Sequence, residues 1–441
     1  MYAGTLKYRL LARVTAEAKT PVKVSAGEKG FESDSYVSRD VNGLPYLPGT
    51  SLTGVFRRLF DEETASSVFG FQEDAGGMGS RIITTDGCLC NQDSFPVEGI
   101  LPEMDPFLQG YTALPIREHV RINGKGVAEA GGKFDEQIVF KGSRFCFEIC
   151  LLSEGKDEIS ILDTILGAIR NGDVRIGGGT RNGFGLLSIW SAQVAVLDLE
   201  KEEDLILFLK KPSSLRESAS WAGWQTWTRV GEKTPLWEDY ELDLSPQHFF
   251  LFSSGFQSED GNADFSPVEE MVVVWDSGKG EWVKRHLIPA TSLKGALAHR
   301  IAYHYNKLTG IFAEDVDPEE YSGVRNQAVR RLFGYVDETE KKASRGRVLF
   351  EDFYFEPGPK KILNHLSVDP FSGGARSGAL FNEQVDTMAQ GEILLRIRVS
   401  KDALEDETVR RALELSLTDL KEGRLPLGGG VNRGHGQFMR K

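Results

Sequence analysis

The sequence predicts an α+β protein made of two tandem copies of one unit. Two observations carry this. Four short motifs occur twice in the same order, and each set sits in the same alternation of strand-like and helix-like patterns. PGTSLTG at Pro48–Gly54 returns as PATSLKG at Pro289–Gly295. Phe69-Gly70 returns as Phe333-Gly334 after each first helix. His119-x-x-x-Asn123, a Gly-rich stretch and Phe134-Asp135-Glu136-Gln137 return as His365-x-x-x-Asp369, a Gly-rich stretch and Phe381-Asn382-Glu383-Gln384. GGGTRNGFG at Gly177–Gly185 returns as GGGVNRGHG at Gly428–Gly436.

Each element follows from its own pattern. Leu6–Val14 alternates as a strand, and Thr50 or Ser51 is a capping type for a helix running to about Ala65. Arg81–Leu89, Arg347–Phe355, Phe145–Leu152, Glu392–Val399 and Leu186–Leu197 also read as strands. Asp157–Arg170 and Leu404–Leu420 have helical spacing and precede the glycine clusters. The order β-α-β, then β-α-β, predicts a split βαβ, ferredoxin-like core in each copy. Long inserts fall at residues 70–145 and 334–390. The expected division is 1–200, a linker at 201–240, and 241–441. Glu202–Lys211 reads as a short amphipathic helix. Trp221, Trp224 and Trp227, three residues apart, predict a linker helix packed on a neighbour.

Composition narrows the class. Lys plus Arg is 52 and Asp plus Glu 65, a net charge of −13 spread evenly along the chain. A 40% hydrophobic content supports a real core and argues against disorder. Apolar runs such as Met271–Trp275 and Leu205–Leu209 are far too short to span a membrane, and the start has no secretory h-region. Four cysteines do not form a disulfide scaffold, so a reducing cytoplasm is the expected setting. Cys88, Cys90, Cys146 and Cys150 show no C-x-x-C pair, which favours buried core thiols over zinc.

Gly is 48 of 441 residues and the excess is clustered. GGGTRNGFG is not a dinucleotide fingerprint, because Leu186–Trp190 after it is strand-like rather than helical. It is not a phosphate-binding P-loop either, because no Gly-Lys-Ser/Thr ends it. The remaining readings are a plain tight turn or a loop whose missing side chains admit another backbone. Arg181 and Arg433 in the clusters suit phosphate. Thr50, Ser51, Thr291 and Ser292 open helices whose first N–H groups are an anion site, with Arg57, Lys294 and Arg300 nearby. Helix start and glycine cluster of the same copy are expected to form one surface for a polyphosphate backbone. Local cations permit this despite the net charge. Lys284, Arg285, Lys294 and Arg300 form one basic stretch, and Lys341, Lys342, Arg345 and Arg347 another.

Together these residues resemble the CRISPR-associated RAMP superfamily (repeat-associated mysterious proteins). The carriers are the PGTSLTG and PATSLKG helix starts, the following Phe-Gly, and the two glycine loops. The His365, Asp369, Gly373-Gly374, Phe381, Glu383 pattern is similar to that of backbone subunits of type III effector complexes, and a tandem pair resembles the fused subunits of type III-D-like systems. The resemblance implies two modified RRM/ferredoxin-like palms, each with an inserted thumb-like hairpin. It implies partners: a guide (cr)RNA, a target RNA and other CRISPR effector subunits, in antiviral defence and with no membrane. The target would be read by base pairing to the guide, as in RNA-guided DNA recognition.

In catalytic members of the family a loop Asp before the Pro-Gly-Thr/Ser-Ser helix cuts the target. The matching residues are Asp34, in Glu32–Asp40, and Asp264, in Gly261–Val268, where Pro267 fits the family's Asp-x-x-Pro-Val form. The first copy lacks that Pro, and the second carries extra residues, Val272–Lys284, before its helix. By the same resemblance Asp34 and Asp264 would hold a divalent metal ion, Mg2+. The nucleophile is the substrate's own 2′-OH, so the protein has only to align it with the scissile phosphorus. Products with a 2′,3′-cyclic phosphate and a 5′-OH are expected. Gly178, Gly179, Arg181, Gly429, Gly430 and Arg433, with Thr50, Ser51, Arg57, Thr291, Ser292, Lys294 and Arg300, are the expected RNA contacts. His119 and His365 are expected thumb contacts, and Glu136 and Glu383 read as thumb anchors. Two other readings stay open: a non-catalytic guide-RNA scaffold, and a protein-interaction subunit without RNA.

Overall fold

In the computed structural model, the described residues are 6–25, 27, 35–73, 76–123, 127–228, 236–253, 255, 261–312, 314, 323–337, 341–387 and 393–441. Asp34 lies outside them. The first copy is built on strand β1 (Tyr8–Ala18), helix α1 (Gly49–Arg57), strands β2 (Ile82–Thr84) and β3 (Arg144–Ser153), helix α2 (Ile159–Arg170) and strand β4 (Leu187–Asp198). The second uses β5 (Trp237–Pro246), α3 (Ala290–Thr309), β6 (Val348–Phe350), β7 (Ile393–Ser400), α4 (Glu407–Lys421) and β8 (Phe438–Arg440).

The two sheets share one topology. In the first the order is β4-β1-β3-β2, and in the second β8-β5-β7-β6, all antiparallel. This is the ferredoxin-like order expected from the element sequence. Helices pack one face of each sheet. α1 buries Leu52 and Phe56, one turn apart, and Phe56 meets Phe147 of β3 at 6.3 Å. α2 buries Leu162, Ile165, Leu166 and Ile169. Each such fully buried aliphatic contributes about 2 kcal/mol relative to an exposed one. Two hydrophobic cores result, one per copy.

Several expected elements differ. The helix from Gly49 ends at Arg57 instead of about Ala65, because the Asp61 carboxylate accepts the Thr64 N–H at 3.0 Å and starts a second helix, Glu62–Phe69. Neither Thr50 nor Ser51 caps α1: the N-cap is Pro48, and in α3 it is Pro289. Arg81–Leu89 and Arg347–Phe355 each break into two short strands. The tryptophans do not form a helix. They flank a two-residue strand, Gln225–Thr226, that pairs with Val194 and Gln193 of β4. Trp221 packs on Leu11, Ala195 and Leu197, and Trp227 joins the first core.

The extra residues of the second copy have a clear place. They lie in a hairpin, Glu269–Asp276 with Lys279–Ile288, whose outer part lies on the first copy. Trp282 inserts among Tyr111 (4.9 Å), Phe140 (4.7 Å) and Phe107 (5.5 Å), and its indole N–H donates to the Phe107 carbonyl. Arg144 lies over both Trp275 and Trp190, at 3.7 and 4.4 Å from the ring centres. Arg398 of β7 adds a bond to Asp173 at 3.0 Å. The join between the copies is therefore a packed, bonded interface.

Candidate nucleic-acid interface

Each glycine cluster is a surface loop seated on a neighbouring strand by the same three bonds. The Gly178 N–H donates to Lys23 O, Gly185 to Pro21 O and Ile176 to Gly185 O; the second copy repeats them as Gly429 to Leu251, Gly436 to Phe249 and Leu427 to Gly436. Close approach requires the missing side chain. Gly177 has φ +80° and a Cβ there would lie 2.0 Å from Lys23 O; Gly428, φ +91°, would meet Leu251 O at 2.5 Å. In the first loop only Gly177 and Gly178 stay exposed, and in the second Gly428, Gly429 and residues 431–434.

The first-copy loop meets the helix start of the second copy, not that of its own copy as expected from sequence. A Cβ on Gly183 would lie 2.5 Å from the Ala290 Cβ. Lys294 Nζ donates to Asn182 Oδ1 at 2.8 Å, Arg181 Nε to the Gly346 carbonyl, and Arg345 Nη2 to Thr180 Oγ1 at 3.0 Å. All three cations thus bond neutral groups. Burial, then the charges of Arg345 and Arg175, push the Arg181 guanidinium down to about 9. Burial, then Arg181, lowers Lys294; burial, then Arg58, lowers Arg345. Arg181 and Lys294 are half-buried and Arg345 is exposed, and among the described residues none of the three pairs with a carboxylate, which is an electrostatic demand for an anion.

Other expected contacts are engaged elsewhere. Arg57 bonds the Gly70 carbonyl and Glu62. Arg300 bonds Asp419. Arg433 bonds buried Glu383 at 2.6 Å. Lys284, Arg285 and Arg347 pair with Glu269, Glu356 and Asp402. Thr50 is exposed, and Ser51, Thr291 and Ser292 are half-buried in the first turns of their helices. The first N–H of each helix is already taken: Gly49 N donates to Asp86 Oδ1 at 2.7 Å and Ala290 N to Asp352 Oδ1 at 2.8 Å. Sequence reading missed these two acids. Their signal was present as Arg81-x-x-x-x-Asp86 and Arg347-x-x-x-x-Asp352.

The inserts form the two thumbs. They are hairpins Ile116–Ile122 with Ala128–Gln137 and Lys361–Val368 with Ala375–Val385. His119 stacks on Phe134 across the ladder at 4.9 Å, and His365 on Phe381 at 4.8 Å. Behind each ring sits a carboxylate. His365 bonds Glu383 at 2.8 Å, whereas His119 Nε2 and Glu136 Oε2 stand 3.7 Å apart and both are buried without a hydrogen bond. Burial lowers the His119 pKa. Lys23 neutralises Glu136 at 2.8 Å, the task Arg433 performs for Glu383. His119 is buried at the root of the first thumb, whereas the His365 side chain stays 23% exposed at the root of the second.

Asp264 is exposed at the root of the second thumb. Its N–H donates to Asn382 Oδ1 at 2.7 Å and its Oδ2 accepts the Asn382 N–H at 2.9 Å. The copies match here as well: Gln384 N donates to Phe265 O, and Gln137 N to Ser35 O. The residues preceding Phe265 and Ser35 in sequence are Asp264 and Asp34. Among the described residues no group of three or more His, Cys, Asp or Glu is placed to hold a metal. Cys88 faces Cys146 across a strand pair, and burial pushes these thiols up to about 12 and about 11. Among the described residues no helix is long and apolar enough to cross a membrane.

The profile of the RAMP superfamily matches residues 15–188 and again 278–439, about three quarters of the chain. The chain therefore belongs to the RAMP superfamily, a family of CRISPR-associated RNA-binding proteins, as a tandem of two RAMP regions. No curated protein matches it.

Proposed function

We propose that the protein is a backbone subunit of a type III CRISPR effector complex that grips guide RNA and cuts the paired target at its loop aspartates. The observation that carries the grip is the cation group of Arg181, Lys294 and Arg345 on the glycine loop whose Gly177 and Gly178 are exposed. It offers charge and bare backbone together, which suits a phosphate chain rather than a base edge. The thumbs would then hold the duplex by shape, with base pairing supplying sequence.

The cutting step rests on Asp264, with Asp34 as its sequence counterpart. Asp264 is one carboxylate with one oxygen tied to Asn382. A lone carboxylate fits a Mg2+ that keeps most of its waters and shares RNA phosphate oxygens, and does not fit a preformed protein cage. Such an ion would supply charge neutralisation at the scissile phosphate. The chain's own part would be to orient: the thumb would bend the strand, and the exposed Asp264 carboxylate would accept the 2′-OH proton. The lone carboxylate equally favours a second reading, a guide-RNA scaffold that does not cut.

The test is the assembled complex with guide and labelled target in Mg2+. Asp264→Ala should remove one cut and leave guide binding intact, and the Asp34→Ala, Asp264→Ala double variant should remove both. Cutting by the double variant at every original position refutes the nuclease reading; no cutting by the unmodified complex with any divalent ion supports the scaffold.

A further inference from the structure

The segment from Asp264 to Glu270 is fastened at both ends, and to a different thumb at each. At its start Asp264 and Asn382 exchange two bonds, and Asn382 lies on the second thumb. At its end Glu270 receives a two-pronged grip from Arg117, Nε to Oε1 and Nη2 to Oε2 at 2.8 Å, and Arg117 lies on the first thumb. Arg117 also donates to Asp352 Oδ2 at 2.7 Å and to the Tyr354 hydroxyl at 2.8 Å, and Tyr354 donates to Glu270 Oε2 at 2.7 Å. The other Asp352 oxygen is the one that caps α3. The Arg117 and Glu270 side chains are each 8% exposed and the Asp352 side chain not at all. One guanidinium thus satisfies two buried carboxylates with a planar fork that an ammonium cannot reproduce.

The arrangement occurs once. In the ladder of the first thumb Arg117 stands opposite Glu136; in the second, Leu363 stands opposite Glu383. Only the first thumb carries an arginine at this place.

Building on the reading above, we infer that Arg117 is a positioning residue for cleavage: it fixes the Asp264 segment to the first thumb, so the first copy sets where the second copy's carboxylate meets the strand. Six residues span at most ~20 Å. The segment is also held between its ends, where Gln384 N donates to Phe265 O and Val268 N to Phe252 O, so the Arg117 anchor acts as a fine adjustment; a shift of about an ångström at the carboxylate is enough to cost about 10²-fold in rate.

The experiment uses the assembled complex with guide, and maps target cuts at single-nucleotide resolution below the melting temperature of each variant. Arg117→Lys keeps the charge and loses the fork. Arg117→Met with Glu270→Leu and Asp352→Asn removes all three buried charges while the Asn oxygen still accepts the Ala290 N–H, which keeps the test valid if the lysine variant folds poorly. Both should hold guide RNA as the unmodified protein does, while the Asp264-dependent cut slows at least 10-fold and spreads to neighbouring phosphates. A residue that only stabilised the fold would lower the melting temperature without moving the cut. An unmoved cut at the original rate in both variants overturns the inference and leaves the nuclease reading intact. Absence of any Asp264-dependent cut in the unmodified complex overturns both, and is seen before an Arg117 variant is compared.

Discussion

Lys294 reaches Asn182 with a 2.8 Å bond, so the first turn of the second copy's helix is tied to the glycine loop of the first. The proposed RNA grip is thus placed at the junction, which brings together three cations that neither copy alone would. Arg181→Ala, Lys294→Ala and Arg345→Ala should each weaken guide binding about 10-fold at physiological salt, and each should reduce the slope of log K against log salt by about 1. Arg300→Ala, whose charge is spent on Asp419, should leave the slope unchanged. Filter binding across a salt series checks this; equal slopes for all four variants would refute it.

The second thumb ends in an unprotected aromatic. Phe371 is 97% exposed, on a turn held by Asp369, whose carboxylate accepts the N–H groups of Phe371 and Ser372. Leu366, Val368 and Leu380 extend the apolar surface. An exposed ring stacking on a base is worth about 1–3 kcal/mol. Phe371→Ala is expected to lose that much affinity for a guide–target duplex, and Phe371→Leu less. Fluorescence of 2-aminopurine placed along the guide reports the stacked position; a profile identical to that of the unmodified protein counts against this stacking.

Trp282 should decide whether the copies unfold together. Its ring fills a site lined by Phe107, Tyr111 and Phe140, and a Cβ on Gly110 would lie 2.7 Å from it. Trp282→Ala should cost about 3 kcal/mol, and Gly110→Ala should displace the ring. Calorimetry is expected to show one transition for the native chain and two for Trp282→Ala. A single transition in the variant, merely shifted, would mean that the remaining bonds suffice.

The duplication was legible because it depends on glycines. At Gly177 and Gly428 no other residue fits under the adjoining carbonyl, so the clusters persist in both copies. The β-α-β order was legible because each strand and helix buries a periodic face. What escaped were partners brought together from afar. Nothing in the PGTSLTG stretch shows that Asp86 caps its helix, and the local hydroxyls at Thr50 and Ser51 were the obvious wrong candidates. Aligning the copies could not show that Arg181 meets Lys294 and Arg345, because alignment is silent on which loop faces which helix. The tryptophan spacing of three misled for a related reason: over seven residues it fits a helix, and sheet pairing at Gln225–Thr226 overrode it. Arg117 carried no pattern at all, since its meaning lies in Glu270 and Asp352 of the other copy.

The junction hairpin should weaken as pH rises past neutrality. His286 lies between Asp386, 2.7 Å from Nδ1, and Glu269, 2.9 Å from Nε2, with the Phe355 ring edge-on at 5.8 Å. Burial opposes its charge, but the bond to Asp386, the charge of Asp386 and then Glu269 outweigh burial and raise its pKa. A group with a raised folded pKa stabilises fully below its unfolded value, about 6.5 for histidine, and that contribution disappears as pH climbs through the folded value. Glu269 has the opposite sign. Burial works against it, yet Lys284 and His286 lower its pKa, so its contribution holds above the ordinary carboxylate range and is lost in acid. Burial raises Asp386, so its penalty grows as pH rises through its own folded value, the same sign as the loss of the imidazolium. Of these three groups only the imidazole has its ordinary value near neutrality. The melting temperature of the native chain should therefore fall between about pH 6 and pH 8, and that of His286→Gln should be flatter. Equal pH slopes for the two proteins would show that the ring is not the titrating group.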